Sequence, residues 1–186
     1  MNIKIIVIID LRFEMEVFRD ADDLISALNI DVEVWGRIPI YMTSGGFDPL
    51  HIGHARCILE TTEMADADGG YVIVIVNGDG FLDRKKGGAF MPEEERAEII
   101  AGLRGVDAVL IWDDGTQNVI GAIEKLKPTY FTKGGDRAAP DDIPEWQVCQ
   151  DVKCEVLFNV GGGKIQSSSW LLRKLEKEVG DNENNA

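Results

Sequence analysis

The chain has 186 residues, 45% of them hydrophobic, which suffices for one domain with a substantial core and is too little for two ordinary ones. A formal net charge of −14, from 33 acidic and 19 basic residues, argues against general binding to nucleic acid or to an anionic membrane, since both depend on basic surface. Any phosphate ligand must be drawn by a local positive spot, and three cysteines that cannot all pair (Cys57, Cys149, Cys154) fit a reducing cytoplasm.

The apolar run from Ile3 to Ile9 is interrupted by Lys4 and closed by Asp10. It is too short to span a membrane, and no small-residue cleavage site follows it, so a signal peptide is not expected. Residues 1–37 offer a strand over Lys4–Ile9 and an amphipathic helix over Phe13–Leu28, with an acidic far face at Asp20, Asp22 and Asp23. They are expected to add a strand and a helix at the edge of a sheet or to serve an interface, for instance that of a homodimer. From Ile38, short β-branched runs alternate with helical patterns. The expected order is strand Ile38–Thr43, helix Ile52–Ala65, strand Tyr71–Val76, helix Pro92–Leu103, strand Ala108–Trp112, helix Asn118–Leu126, strand Tyr130–Thr132, helix Pro144–Val152, strand Glu155–Phe158 and helix Ser168–Glu178. Apolar strands separated by helices predict an α/β domain over residues 38–179, a five-stranded parallel sheet with helices on both faces and ligands beyond the carboxyl ends of the strands. Residues 180–186 read as a polar, frayed tail.

Four clusters fall at strand ends. The first is the run Ser44-Gly45-Gly46-Phe47-Asp48-Pro49-Leu50-His51-Ile52-Gly53-His54, which holds the only two histidines. In a helix beginning near His51, residues 51 and 54 share a face and flank the first-turn amides. Free amides, the positive end of the helix dipole and two imidazoles suit the spreading charge of a phosphate in its transition state. Gly45 and Gly46 let the backbone approach phosphate, and Gly53 leaves room between the imidazoles. A metal-binding pair lacks a third ligand at helical spacing, and Cys149 with Cys154 lacks the ligands of a closed zinc shell.

The second cluster runs from Asn77-Gly78-Asp79 through Asp83-Arg84-Lys85-Lys86-Gly87-Gly88 to Glu93-Glu94-Glu95-Arg96. Three consecutive cations beside glycines are unusual in so acidic a chain, and lysine there can hold a transferred phosphate. Arg96 shares a helical face with Ile99, Ile100 and Leu103, so its stem packs inward while its guanidinium reaches a fixed partner. The third cluster, Lys133-Gly134-Gly135-Asp136, supplies a cation, two close backbone approaches and a carboxylate. The fourth is Gly161-Gly162-Gly163-Lys164 followed by Ser167-Ser168-Ser169 and Arg173. Serines at a helix start can cap it and, with free amides, receive phosphates. Neither glycine run is a P-loop, for both lack its leading glycine and trailing Ser or Thr.

The His-Ile-Gly-His run resembles the HxGH motif of the cytidylyltransferase-like nucleotidyltransferase superfamily, and the resemblance extends over about Ile38 to Leu175. It implies a Rossmann-like fold and the transfer of a nucleoside monophosphate from ATP or CTP to a phosphorylated small molecule, with release of pyrophosphate and with Mg2+ or another divalent cation. His51, His54, Lys85 and Lys86 would be catalytic. Ser44, Gly45, Gly46, Phe47, Asp48, Gly53, Lys133, Gly134, Gly135, Asp136, Ser167, Ser168 and Ser169 would bind nucleotide, and Asn77, Asp79 and Arg96 would border the acceptor. Class I aminoacyl-tRNA synthetases share a similar histidine motif but are much larger. Lys-Gly-Gly-Asp is similar to the adenylyltransferases that make ADP-heptose, whereas glycerol-phosphate cytidylyltransferases usually carry Gly-Asp-Asp, which favours ATP. A polyol-phosphate cytidylyltransferase is the alternative, followed by FAD- or NAD-forming adenylyl transfer and by a nucleotide-binding regulator without turnover. The closing serine motif departs from the strictest family form, because Leu172 occupies the arginine position and Arg173 comes one residue late, leaving Lys164 or Arg173 to supply the charge.

Overall fold

The runs Tyr71–Val76 and Ala108–Trp112 are apolar at every position because both faces of the sheet are covered there. In β3 (Tyr71–Asn77), Val72, Val74 and Val76 pack with one layer of helices while Ile73 and Ile75 pack with the other. Alternation of side chains along a strand produces this division. The structure, a computed structural model, describes residues 16–30, 38–135, 137–163 and 165–174. The elements are β1 (Glu16–Phe18), α1 (Ala21–Ala27), β2 (Ile40–Gly45), α2 (Ile52–Asp68), β3, α3 (Asp79–Lys86), α4 (Glu93–Ala101), β4 (Ala108–Trp112), α5 (Ile120–Leu126), β5 (Tyr130–Gly135), α6 (Trp146–Asp151), β6 (Glu155–Gly163) and α7 over residues 168–174.

All described pairings are parallel, in the order β1-β4-β3-β2-β5-β6. The sheet therefore has six strands rather than five. The extra one, β1, pairs with β4, Glu16 opposite Ala108 and Phe18 opposite Leu110. It lies inside the stretch read as one helix over Phe13–Leu28. The helix starts only at Ala21, because the Asp20 carboxylate accepts the amides of Asp22 and Asp23 and so caps it there. The strand expected over Lys4–Ile9 lies outside the described residues, as do the tail and the end of the last helix.

Helices α1, α5 and α6 cover one face, through Leu24, Ala122, Ile123, Leu126, Val148 and Cys149. Helices α2 and α4 cover the other, through Ile58, Ala65, Ala97 and Ile100. The chain leaves β2 toward β3 on one side, and β5 returns to the other side of β2. This reversal opens a crevice beyond the carboxyl ends of β2 and β5, the usual ligand position in such sheets.

Two segments depart from the periodicity. α2 runs one turn past Ala65 to Asp68 and stops where Gly69 takes a left-handed φ of 66°. α3 was not legible as a helix because Asp-Gly-Phe-Leu-Asp-Arg-Lys-Lys has only two apolar residues; Phe81 and Leu82 are the two that it buries.

Candidate active site

A cleft of about 550 Å3 opens at the reversal of strand order, and all four sequence clusters contribute to it. Ser44, Gly45, Gly46, Phe47, Asp48, His51, Gly53 and His54 line it from the β2–α2 turn, Asn77, Lys85 and Lys86 from β3 and α3. Lys133, Gly134 and Gly135 come from β5, and Ser167, Ser168 and Ser169 from the start of α7. Asp79 and Arg96 are not among its lining residues, and Asp136 and Lys164 lie outside the described residues. Among the described lining residues, four cations, Lys85, Lys86, Lys133 and Arg137, stand against three carboxylates, Asp48, Asp142 and Glu145.

His51 is the N-cap of α2. Its Nδ1 accepts the amides of Gly53 (3.1 Å) and His54 (3.4 Å). Those two amides, expected to be free for phosphate, are thus already bonded. A neutral His51 whose Nδ1 accepts must carry its proton on Nε2, a tautomer assigned from these bonds. The two imidazoles stack, with centroids 3.7 Å apart and planes 16° apart, and His54 meets the edge of Phe47 at 5.0 Å. A Cβ at Gly53 would lie 3.1 Å from the His51 ring, so glycine there makes room for the cap. Burial lowers the pKa of His51, and burial reinforced by His51 pushes His54 down to about 4. Both rings are therefore neutral near pH 7 and carry an N–H each rather than a charge.

The structure separates the two lysines. Lys86 Nζ donates to Asp48 Oδ2 (2.6 Å) and to its carbonyl (3.1 Å), whereas Lys85 is exposed on the cleft, its Nζ 5.4 Å from the Phe81 ring centroid. Lys86 thus lines the cleft while bonded to the turn that carries the histidines. The Asp48 carboxylate is wholly buried and also accepts the amides of Phe90 and Met91, both at 2.8 Å. Burial alone would raise its pKa, but Lys86 and the two amides outweigh burial and hold it below the ordinary carboxylate value. Asp48 accordingly clamps the β2–α2 turn to the segment after α3, and its carboxylate is not turned to a ligand.

Arg96 has the inward stem and fixed partners read from its helical face. Its guanidinium is fully buried and donates to the carbonyls of Met91 (2.9 Å), Gly46 (2.7 Å) and Asn77 (2.7 Å) and to Asp79 Oδ1 (2.6 Å). It fastens the ends of β2 and β3 together and engages one oxygen of the Asp79 carboxylate, whose side chain keeps 41% exposure. Asn77 does reach the cleft, with Oδ1 buried and without a hydrogen-bond partner.

At the end of β5, Lys133 lies over the Phe131 ring at 4.1 Å, donates to Ser44 Oγ at 3.3 Å and faces Glu145 Oε2 at 3.5 Å. Burial lowers its pKa and Glu145 opposes that shift. The glycines after it serve packing as much as ligand approach. A Cβ at Gly134 would meet the Val160 carbonyl at 2.8 Å and Cys57 Sγ at 3.0 Å. Gly161, at φ 81°, lies so close to α2 that a Cβ would come within 2.5 Å of the Cys57 amide nitrogen. Ser167 caps α7, its Oγ accepting the Trp170 amide at 3.3 Å, and the Ser168 hydroxyl donates to the Pro49 carbonyl at 2.9 Å, joining the closing motif to the histidine turn. Arg173 donates to the Ser169 carbonyl at 3.1 Å and is not among the cleft-lining residues. Sequence reasoning missed Glu145, whose only local signal is its place between Pro144 and Trp146 in a chain with 33 acids.

Among the described residues no group of three or more His, Cys, Asp or Glu side chains could hold a metal ion, and none of their helices is long and apolar enough to cross a membrane. Residues 42–168 match the family model described as cytidylyltransferase-like. The bifunctional protein HldE of Geobacter metallireducens is 36% identical over 150 residues, covering 76% of this chain and 28% of the relative. HldE of Koribacter versatilis is 37% identical over 114 residues, covering 58% of this chain and 22% of the relative. This chain therefore spans about a quarter of the length of these curated relatives. Among solved structures, the lipopolysaccharide core biosynthesis protein of Thermoplasma volcanium superposes with a TM-score of 0.53 at 21% identity, covering 70% of this chain and 98% of that one, a likeness of fold.

Proposed function

The chain belongs to the cytidylyltransferase-like family of nucleotidyltransferases, and from that premise we propose that it transfers AMP from ATP to a phosphorylated small molecule of the sugar-phosphate kind. The observation that carries this reading is the stacked His51–His54 pair on the cleft where strand order reverses, with Lys133 and Lys85 lining the same cleft. A phosphomonoester is mostly a dianion at neutral pH, its second pKa being about 6, so it needs no general base. Its oxygen attacks the α-phosphorus, the bond to the bridging β-oxygen breaks, and pyrophosphate leaves with the electron pair.

Catalysis then rests on in-line positioning and on donors aimed at developing charge. The neutral imidazoles donate N–H bonds to the α-phosphoryl oxygens without bringing a desolvated cation into the site. Lys133 and Lys85 balance the triphosphate, and the amides and hydroxyls around Ser169 receive the outgoing pyrophosphate. A divalent cation bound with the nucleotide would supply charge neutralisation on the leaving pyrophosphate, beside Lys133 and Lys85.

ATP is preferred over CTP because the HldE proteins are the relatives reported above and because of the Lys133-Gly134-Gly135 segment. The family description favours the second reading, CTP with a polyol phosphate. Pyrophosphate release, measured with ATP and CTP against sugar phosphates, glycerol 3-phosphate, FMN and nicotinamide mononucleotide, tests both. Release with ATP and a sugar phosphate is expected. Release only with CTP overturns the nucleotide assignment, and nucleotide binding without release from any acceptor overturns the reaction.

A further inference from the structure

A lysine ammonium lowered into a cleft loses hydration, which only a nearby opposite charge can replace. The Lys133 side chain is 14% exposed, and among the described residues Glu145 attracts it while Arg137 and Lys85 repel it. Glu145 comes from the turn before α6 and its side chain is 6% exposed. One of its oxygens, Oε1, accepts the Val119 amide at 3.3 Å, just before α5. The other, Oε2, is buried, has no hydrogen bond, and stands 3.5 Å from Lys133 Nζ. A carboxylate held this way is fixed in place by the start of α5 and presents its second oxygen to the lysine.

We propose that Glu145 is a positioning residue that keeps the Lys133 ammonium charged and directed into the cleft beside Ser44, ready for the triphosphate. That Lys133 meets a triphosphate rests on the adenylyl-transfer reading; the Glu145–Lys133 pairing does not. The long 3.5 Å separation has a use. A tight buried pair would leave lysine little attraction to spare for a ligand, whereas a loose one keeps the charge and lets phosphate oxygens take the N–H donors.

Competitive acetylation of the intact chain at pH 7.5, read at Lys133 by peptide mass spectrometry, tests the pairing without turnover. Glu145→Gln keeps an oxygen for the Val119 amide while removing the charge, and is expected to acetylate at Lys133 severalfold faster, because without the counter-charge more of the amine is free. Glu145→Asp keeps the charge but withdraws it by one methylene, so its rate falls between the two. A Gln variant that labels at the wild-type rate overturns the proposal. Calorimetric titration of ATP into wild type, Glu145→Gln, Lys133→Met and the double variant supplies a second readout. Glu145→Gln should weaken ATP binding when Lys133 is present and leave Lys133→Met unaffected; equal weakening on both backgrounds overturns the proposal. If the wild-type chain binds no nucleotide, the adenylyl-transfer reading falls, and the acetylation rates still decide the role of Glu145.

Discussion

Asp48→Asn separates a clamp from a ligand. The wild-type carboxylate is fully buried and accepts Lys86 Nζ at 2.6 Å and the Phe90 and Met91 amides at 2.8 Å each. All three partners are donors, so an asparagine must turn its NH2 toward at least one of them, and the charge is lost as well. Removing one partner of a buried ion pair costs about 3–5 kcal/mol. Lys86 keeps 29% side-chain exposure and can rehydrate, which points to the lower end, about 3 kcal/mol. In a chain of this size each kcal/mol shifts the melting temperature by about 2–4 °C, so a fall of about 6–12 °C is expected in a thermal melt followed by circular dichroism. The pH dependence has a definite sign. Because the folded pKa of Asp48 is lowered, its stabilisation is fully present above the ordinary carboxylate pKa and is lost only as pH falls through the folded value, so the difference between wild type and variant should be constant from pH 5 to pH 8. Asp48→Asn that melts within about 2 °C of wild type, on the same conversion, but no longer binds ATP would refute the reasoning and return the carboxylate to the ligand.

His54→Ala should lower turnover by about 10² or more, the scale of one lost transition-state donor, with ATP affinity changed far less; near-normal pyrophosphate release would sink the assignment. His54 also titrates in a defined direction: burial and His51 bring its pKa to about 4 from an ordinary 6.5, so its neutral form stabilises the fold above pH 6.5 and that contribution drains away as pH falls toward 4. Urea unfolding of wild type and His54→Gln from pH 7.5 to 4.5 should show their difference change by about 3 kcal/mol in that window, and a constant difference would contradict the buried neutral ring. Lys85→Ala should impair pyrophosphate release while shifting stability by no more than about 0.5 kcal/mol, the usual surface value. Lys86→Ala should behave as Asp48→Asn does in thermal melts, and the reverse pattern would exchange the roles of the two lysines.

Much of the fold was legible because it follows from local pattern. Ile40–Gly45, Tyr71–Asn77 and Ala108–Trp112 are apolar, β-branched and spaced by helices, which is enough to indicate a covered parallel sheet. The strand at Glu16–Phe18 was illegible because three residues carry no period, and only pairing with β4 makes them a strand. α3 escaped notice because a helix that buries two residues at a strand end needs no amphipathic stripe. In the site, glycine, histidine and serine clusters could be found by type and spacing. The division of labour among charged residues could not, since a buried charge and an exposed one look alike in a sequence.

The sequence was enough to place the chain in its family, because His51-Ile52-Gly53-His54 at a strand-to-helix turn carries the HxGH motif, and the fold stacks the two imidazoles there. It also determined that four strand ends would share one edge, since a parallel sheet with helical crossovers permits little else. Which charged side chains hold the cleft together, and which stay on it, follows from tertiary packing. Asp48, Lys86, Asp79 and Arg96 bond to one another or to carbonyls and amides distant in the chain, whereas Lys85 is left exposed on the cleft. Lys133 found its counter-charge in Glu145, 12 residues on and in another element. Long-range pairing of charges depends on where burial removes water, and burial is a property of the assembled fold.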